Sequence, residues 1–596
     1  MSSAGTGKTT RLIADVNRLI DGGTDPSRIL VITFSVAGKD ELVSRMTNKI
    51  VTVRTMHSLF LWLMNQSETT KVGEIIRELD RIRMLDDIVR KSPNRRAIEG
   101  KNSPSSRDIL QAISLAKNYC IRPLGCYNSF LFDKKSKLFA IDNVRLGKLY
   151  KPIRDKLPEN FLPYFDALYT QYEITKGAQI DFDDILLLCR DKMFTNQYGI
   201  RDRARSLYDH VFIDEFQDTN QIQFDIIREM ISESCHLTVI GDWKQNIYEW
   251  RGADYKLLKN IDKYYPEVEI EHLDKTYRNG KKILNIANGV ACKILGDRPI
   301  STAKDFDGEV VMAEFGDGEA ELQYVLSRLP SATDTFVLAR NNAQLQELEL
   351  SIQLLLSDLD YSISGTPFCG SEMVLDLTAT LAALYCPERL PERGWGRVLS
   401  VIARYVPMTE RNKYISTKNT QNATLYKAIK NLEEYQQEAR NQPVTFMDLL
   451  GRFIKSVRYA DSATRNKTKE EKEDTLDAID MFIHFGKRFP SVFELLKFCA
   501  RNAVSTKNPN APVKLMTVHA SKGMQAKEVI LYGLSEGKFP SKKSTISQSD
   551  AEGEERLLYV AVSRAIERLI VTCGKPSIFF RELERFNLTN NVGGIK

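Results

Sequence analysis

The chain has 596 residues, too many for one hydrophobic core, and predicts roughly three to five domains. With 42% hydrophobic and 27% charged residues it can bury large cores, which excludes global disorder; a net charge of +6 is compatible with a basic groove but is too small at this length to establish a polyanion partner. Nine cysteines, scattered and without a C-x-x-C pair, argue against zinc, iron–sulfur and disulfide frameworks, and no apolar run approaches a membrane span. The expectation is a soluble cytoplasmic protein, bacterial or phage-encoded, with no membrane partner.

Ala4-Gly5-Thr6-Gly7-Lys8-Thr9-Thr10 opens the chain as most of a phosphate-binding loop. Glycines let backbone N–H groups approach phosphates, Lys8 neutralises charge, and the Thr9 hydroxyl suits magnesium. A helix from Thr9 to Ile20 follows, stopped by Asp21-Gly22-Gly23, then a buried strand over Arg28–Phe34, a helix from near Lys39 and a short strand over Ile50–Val53. From about 85 to 180 the pattern changes to long charged helical periods. Strands return at Val211–Ile213 and Leu237–Ile240, apolar runs ending in acids or Gly-Asp, as parallel strands with functional carboxyl ends do.

A second α/β region starts near Thr276, with strands at Glu309–Ala313 and Thr335–Leu338. A helical stretch over about 371–510 interrupts it, and strands resume at Val513–Thr517, Val529–Tyr532 and Leu569–Thr572. Polar runs at Ser416–Thr424, Ser505–Pro512 and Ser541–Ser549 read as loops. The expected organisation is an α/β fold of two lobes: a first lobe at 1–84 and 181–275 with a helical insertion at 85–180, a second at 276–370 and 511–580 with a helical insertion at 371–510, and a tail at 581–596.

Val-Phe-Ile-Asp-Glu supplies carboxylates to match the loop. Asp214 at a strand end can hold magnesium, and Glu215 can polarise an attacking water. Gly241-Asp242-Trp243-Lys244-Gln245 runs on to Tyr248, Trp250 and Arg251, and the flanking charges Lys244, Glu249 and Arg251 argue against simple core burial of Trp250. Tyr248 fits either a core position or a stacking surface.

Asp-Glu-Phe-Gln-Asp-Thr-Asn, Gly-Asp-Trp-Lys-Gln-Asn-Ile-Tyr-Glu-Trp-Arg-Gly-Ala, Thr-Tyr-Arg-Asn, Leu-Met-Thr-Val-His-Ala-Ser-Lys-Gly and Glu-Glu-Arg-Leu-Leu-Tyr-Val-Ala-Val-Ser-Arg-Ala occur in this order. Together with the loop they resemble the motifs of the UvrD/Rep/PcrA family of superfamily 1 DNA helicases. The resemblance spans residues 2–572 and implies two RecA-like parallel-sheet lobes, ATP and Mg2+ as cofactors, and movement on single-stranded DNA, 3′→5′, with unwinding of partly duplex DNA. It gives Gln245 a γ-phosphate-sensing role, Tyr277 an adenine-stacking role, and Arg278 and Arg564 contacts to the γ-phosphate that charge developing in hydrolysis would strengthen. Glu215, Gln245, Arg278 and Arg564 are thereby the candidate catalytic residues. Phe34, His57, Tyr248, Trp250, Arg251, Thr517 and His519 are similar to residues that contact the DNA strand, although His57 fits a structural histidine equally well. Two departures stand out. Val36-Ala37 replaces a polar-basic pair after Phe34, and Gln525 stands where a glutamate accepts from the nucleotide ribose, predicting weaker or less selective nucleotide binding.

The 5′→3′ branch of the superfamily is the runner-up within the class, and a helicase–nuclease fusion is disfavoured. The rival from another class is a single-stranded-DNA-binding or loading protein with an impaired ATP site. Loading or repair partner proteins and a place in DNA repair or replication are compatible with the motifs. A phosphate loop ordinarily follows a buried strand; here the chain starts within the loop, which predicts truncation, a gap beside the loop, and unpaired backbone groups there.

Overall fold

Strand β1 (Ile29–Thr33) is apolar on both faces and wholly buried, as a central strand must be. In the computed structural model it lies inside a four-stranded sheet with β2 (Thr52–Thr55), β3 (His210–Ile213) and β4 (His236–Val239), in the order β2-β1-β3-β4 with every pair parallel. The structure describes residues 1–65, 73–92, 104–123, 157, 161–403, 406–441, 445–464, 469–503, 508, 510–541 and 548–591. Alternate side chains of β1 serve two cores. Leu30 and Ile32 pack with Leu59, Phe60, Leu186 and Ile213, while Ile29 and Val31 pack with Leu12, Val16, Leu42 and Phe212. Each such side chain, fully buried, stabilises by about 1.5–3 kcal/mol.

The chain divides into two compact units, Met1–Val310 with Pro540–Arg568 and Arg581–Lys596, and Val311–Phe539 with Leu569–Phe580. Residues 276–310 and 540–568, expected in a second lobe, therefore group with the phosphate loop. Between β2 and β3 the first unit carries the helices Glu78–Lys91, Ser106–Asn118 and Leu162–Lys176, with their own core of Leu85, Ile113, Phe165 and Tyr169. At its base Lys117, 1% exposed, is ringed by Asp184 at 2.7 Å, Asp181 at 2.8 Å and Glu173 at 2.9 Å. Such a cluster tolerates burial because every charge has a partner. Strands β5 (Lys275–Thr276) and β6 (Ser301–Thr302) form a short parallel ladder in this unit.

The second unit is built on a six-stranded sheet ordered β7-β12-β11-β8-β10-β9, from β7 (Glu309–Glu314), β8 (Thr335–Ala339), β9 (Tyr361–Ile363), β10 (Val513–Thr517), β11 (Ala526–Leu531) and β12 (Ala565–Cys573). The run β11-β8-β10-β9 is parallel. Between β9 and β10 the chain is helical, around Leu377, Phe453 and Phe482.

The expected strands are all present, β10 with the expected ends and the others with ends displaced by at most four residues; β5, β6 and β9, two or three residues long, were not anticipated. The expected loop over Ser416–Thr424 is shorter, because helices Met408–Thr417 and Ala423–Asn441 claim its ends. The expected tail is helical over Ile578–Asn591, and its Phe586 lies where a Cβ at Gly289 would come within 2.6 Å of the ring.

Candidate nucleotide and nucleic-acid site

Because the first sheet is parallel, the carboxyl ends of its strands share one edge, and the candidate residues follow those ends. Phe34 follows β1, His57 follows β2, Asp214 and Glu215 follow β3, and Asp242–Arg251 follows β4.

The phosphate loop needs its glycines. Gly5 and Gly7 have φ of 71° and 79°, in the left-handed region. A Cβ on Gly5 would stand 2.5 Å from Thr276 Oγ1 and 2.6 Å from Arg278 Cβ. Gly7 caps the helix Lys8–Asp21, whose first N–H groups are left for an anion. Thr6 closes the loop by donating its hydroxyl to Ser3 O at 2.9 Å. Ala4 is held from both sides, its carbonyl accepting from Thr276 Oγ1 at 3.0 Å and its N–H donating to the Tyr559 phenol at 3.3 Å. Tyr277 N–H donates to Gly5 O at 2.8 Å.

The backbone ahead of the loop is paired, against expectation. Ser2 N–H and Oγ both donate to Gly241 O, at 3.0 and 2.9 Å, and Met1 O accepts from Leu273 N–H at 3.0 Å. A single-residue parallel bridge, Ser2 to Leu273, stands where a strand was considered necessary.

Lys8 projects toward the acids. Its Nζ is 3.5 Å from Glu215 Oε1, is buried, and has no hydrogen-bond partner. Glu215 adopts φ 52°, a conformation that costs a non-glycine residue about 1 kcal/mol or more and is retained where a site over-determines it. Gln217 Nε2 donates to its Oε2. Burial, and then the neighbouring Glu215, push the Asp214 carboxyl up to about 7. Thr9 is half-buried one residue after Lys8; Thr10 faces outward and accepts from Arg45 Nη2 at 2.8 Å.

Two arginines complete the cluster. Arg564 is 1% exposed, donating from Nε to Val560 O at 2.9 Å and from Nη2 to Ser563 Oγ at 2.8 Å and Gln245 Oε1 at 3.1 Å. Gln245 in turn donates to Asp242 Oδ2 at 2.7 Å. Arg278 Nη1 donates to Ser563 O at 3.1 Å. Burial pulls the Arg278 guanidinium down to about 10; burial and then Arg278 pull Arg564 down to about 9. A buried ammonium lacking a hydrogen-bond partner, beside two guanidiniums whose charges burial opposes, fits a polyphosphate; an acid pair at the strand end fits the divalent cation that accompanies one. The Tyr277 ring, 60% exposed, is open for stacking.

A second cluster is aromatic. Phe34 and Tyr248 stack on each other at 5.6 Å with planes 16° apart, and the Arg251 guanidinium lies 5.6 Å from the Tyr248 centroid. Trp250 belongs to the same turn, but its side chain lies outside the described residues. Of the charges flanking it, Arg251 is exposed and Glu249 half-buried, while Lys244 is buried. Lys244 is 2% exposed, bound to Asp297 at 2.5 Å and Asp242 at 3.0 Å, and Glu249 pairs with Arg556 at 2.7 Å. His57 is half-buried with its pKa lowered by burial, and meets Phe182 edge-on at 6.3 Å. Val36, where the family resemblance has a polar residue, is 65% exposed at the start of the helix Val36–Arg45. Thr517, His519 and Gln525 belong to the second unit: Thr517 Oγ1 accepts from Ala520 N–H at 3.3 Å, His519 is half-buried, and Gln525 is exposed.

Sequence reasoning passed over Thr276, Ser563, Tyr559 and Arg556. Tyr559 sits among apolar residues of the helix Gln548–Val562 and so reads as core, and Arg556, after Glu554 and Glu555, reads as a surface charge. Only their partners, Ala4 and Asn246, far away in the chain, reveal them.

Residues 1–266 match the family model of the UvrD/REP helicase N-terminal domain, and residues 395–575 that of the UvrD-like helicase C-terminal domain. A probable DNA helicase II homolog of Mycoplasma capricolum is 29% identical over 98% of this chain and 85% of its own length. ATP-dependent DNA helicases PcrA of Bacillus subtilis and Leuconostoc citreum are 25% and 24% identical, over 97% and 96% of this chain and 81% and 79% of their own.

Proposed function

The chain belongs to the UvrD/Rep/PcrA-like family of superfamily 1 helicases, with the α/β RecA-like fold, and on that premise we propose that it is an ATP-dependent DNA motor that moves 3′→5′ along single-stranded DNA and unwinds duplex ahead of it. Its substrates are ATP and single-stranded or partly duplex DNA. The observation that carries the reading is the hydrogen bond from Arg564 to Gln245, which joins the cationic cluster to the turn bearing Tyr248.

In this reading the loop Ala4–Thr10 cradles phosphates with its N–H groups and Lys8 takes their charge. Thr9 and Asp214 would hold Mg2+, which would supply Lewis-acid neutralisation of the phosphate charge. Glu215 accepts the proton of the attacking water, with Gln217 orienting its carboxylate. Arg278 and Arg564 meet the charge that develops on the transferred phosphoryl group, and Gln245 reports that change to the turn it begins. Tyr277 stacks on adenine; Gln525, in the second unit, is similar to a residue that accepts from a ribose. Phe34, Tyr248 and Trp250 stack on bases; every base has a π-face, so such contacts suit a motor that ignores sequence. His57 and Arg251 of the first unit contact the strand; in the second unit Thr517 and His519 are similar to residues that do. Among the described residues no helix is long and apolar enough to cross a membrane.

Steady-state ATP turnover with and without oligo(dT), followed by displacement of a labelled strand from duplexes with a 3′ or a 5′ tail, tests the reading. Turnover that rises with DNA and unwinding from the 3′ tail are expected. DNA binding without turnover would instead identify a loading protein, and unwinding from the 5′ tail would reverse the polarity.

A further inference from the structure

Arg556 is among the largest fully buried side chains, at 1% exposure, in the helix Gln548–Val562. It grips the turn that follows β4. Its Nε donates to Asn246 O at 2.9 Å, its Nη2 lies 2.7 Å from Glu249 Oε2, and its guanidinium lies 4.6 Å from the centre of the Tyr255 ring. Tyr255 is fixed in turn by donating its hydroxyl to Glu552 Oε2 at 3.2 Å, one helical turn before Arg556. Asn246 is wholly buried and donates from Nδ2 to the backbone carbonyl of Gln217, whose side chain donates to Glu215.

Eight residues further on, Arg564 binds Gln245. Consecutive residues of one turn, Gln245 and Asn246, are thus held by two arginines of one segment, Arg556 within the helix and Arg564 two residues past its end. The first arginine faces the nucleotide cluster. The second takes hold on either side of Tyr248, through the Asn246 carbonyl before it and the Glu249 carboxylate after it. A guanidinium suits this task, because its rigid fork satisfies a carbonyl and a carboxylate at once.

We infer that Arg556 is a positioning residue that sets the aromatic turn Gln245–Arg251 in its DNA-binding geometry and ties that geometry to the segment carrying Arg564. The inference rests on the motor reading above and deepens it. It makes the helix Gln548–Val562 a link, to whose end Arg564 is tied by its bond to Val560 O: a shift of Arg564 against Gln245 is passed to Arg556, and with it to the stacking surface.

The test measures ATP turnover against oligo(dT) concentration in the parent, Arg556→Met, Arg556→Lys and Glu249→Gln, with melting temperatures alongside. The DNA concentration for half-maximal stimulation is expected to rise about tenfold or more in Arg556→Met and several-fold in Glu249→Gln. DNA-free turnover and half-saturating ATP stay within about twofold of the parent. Arg556→Lys recovers part of the loss, keeping the charge beside Glu249 without the fork. Unshifted half-saturation in the variants of a DNA-stimulated parent overturns the inference. So does a loss of DNA-free turnover in proportion to the stimulated rate, which a merely structural arginine would give. If Arg556→Met does not fold, Glu249→Gln decides alone. A parent without DNA stimulation sinks the motor reading itself, a separate outcome.

Discussion

Arg564 donates from Nη2 to Gln245 Oε1 at 3.1 Å, across 319 residues of chain, with both groups buried. The bond places a guanidinium whose charge burial opposes against a neutral acceptor that can release it. An arginine so held is available to a stronger, anionic partner.

Arg564→Ala is therefore expected to collapse ATP turnover by about 10³–10⁵-fold, as removal of a transition-state arginine does, while ATP affinity stays within several-fold. Nucleotide titration alongside single-turnover kinetics checks this. An affinity loss as large as the rate loss would make the residue a ground-state binding group.

Lys8→Ala should abolish nucleotide binding, because the buried ammonium is the loop's own cation. Glu215→Gln should retain ATP and lose turnover by roughly 10²–10⁴-fold, the usual worth of a general base. Fluorescent-nucleotide binding paired with phosphate release separates the two phenotypes, and a Glu215→Gln variant turning over at the parental rate contradicts the assignment.

Gly5→Ala forces a Cβ to 2.5 Å from Thr276 Oγ1 at a backbone φ of 71°. The added methyl must displace the Thr276–Ala4 and Tyr277–Gly5 contacts, so a stability loss of about 1–3 kcal/mol and weakened nucleotide binding are expected together. A denaturant titration with and without nucleotide measures both, and an unperturbed variant would mean the loop is not clamped as described.

Tyr248→Ala should weaken oligo(dT) binding by about 1–3 kcal/mol and leave the salt slope unchanged, since a stacking face is removed but no phosphate contact. Trp250→Ala is expected to behave alike. Fluorescence anisotropy across a salt series reads both quantities. A lowered melting temperature with unaltered DNA affinity would return Tyr248 to the core.

Glu349, in the second unit, is 1% exposed and accepts from Phe368 N–H at 2.8 Å; burial pushes its carboxyl up from 4.5 to about 7. A carboxyl raised in the folded state stays protonated there after it ionises in the unfolded chain. Stability is then lost as pH climbs from about 4.5 to about 7, by on the order of 3 kcal/mol. Glu349→Gln should flatten that part of the melting-temperature profile, and a profile of the parental shape in the variant rules this group out as its source.

The phosphate loop, the Asp-Glu strand end, the parallel strands and the helical stretches between them were legible in the residues alone. Each depends on local chemistry: glycines that reach positive φ, a lysine ahead of a helix, β-branched runs ending in acids. Boundaries slipped where helix and strand propensities overlap, as at β11, and the expected tail proved helical because Phe586 has Gly289 to pack against. Which distant groups meet was beyond the sequence. Tyr559 on Ala4, Thr276 beside Gly5, and Arg556 on Asn246 join residues hundreds of positions apart, and nothing in their local sequence marks the partner. The turn after β4 shows the same limit. Lys244 is buried against Asp297 and Glu249, half-buried, pairs with Arg556, whereas Arg251 is exposed. A charge is cheap to bury only where its partner already waits, and that partner is supplied by tertiary structure.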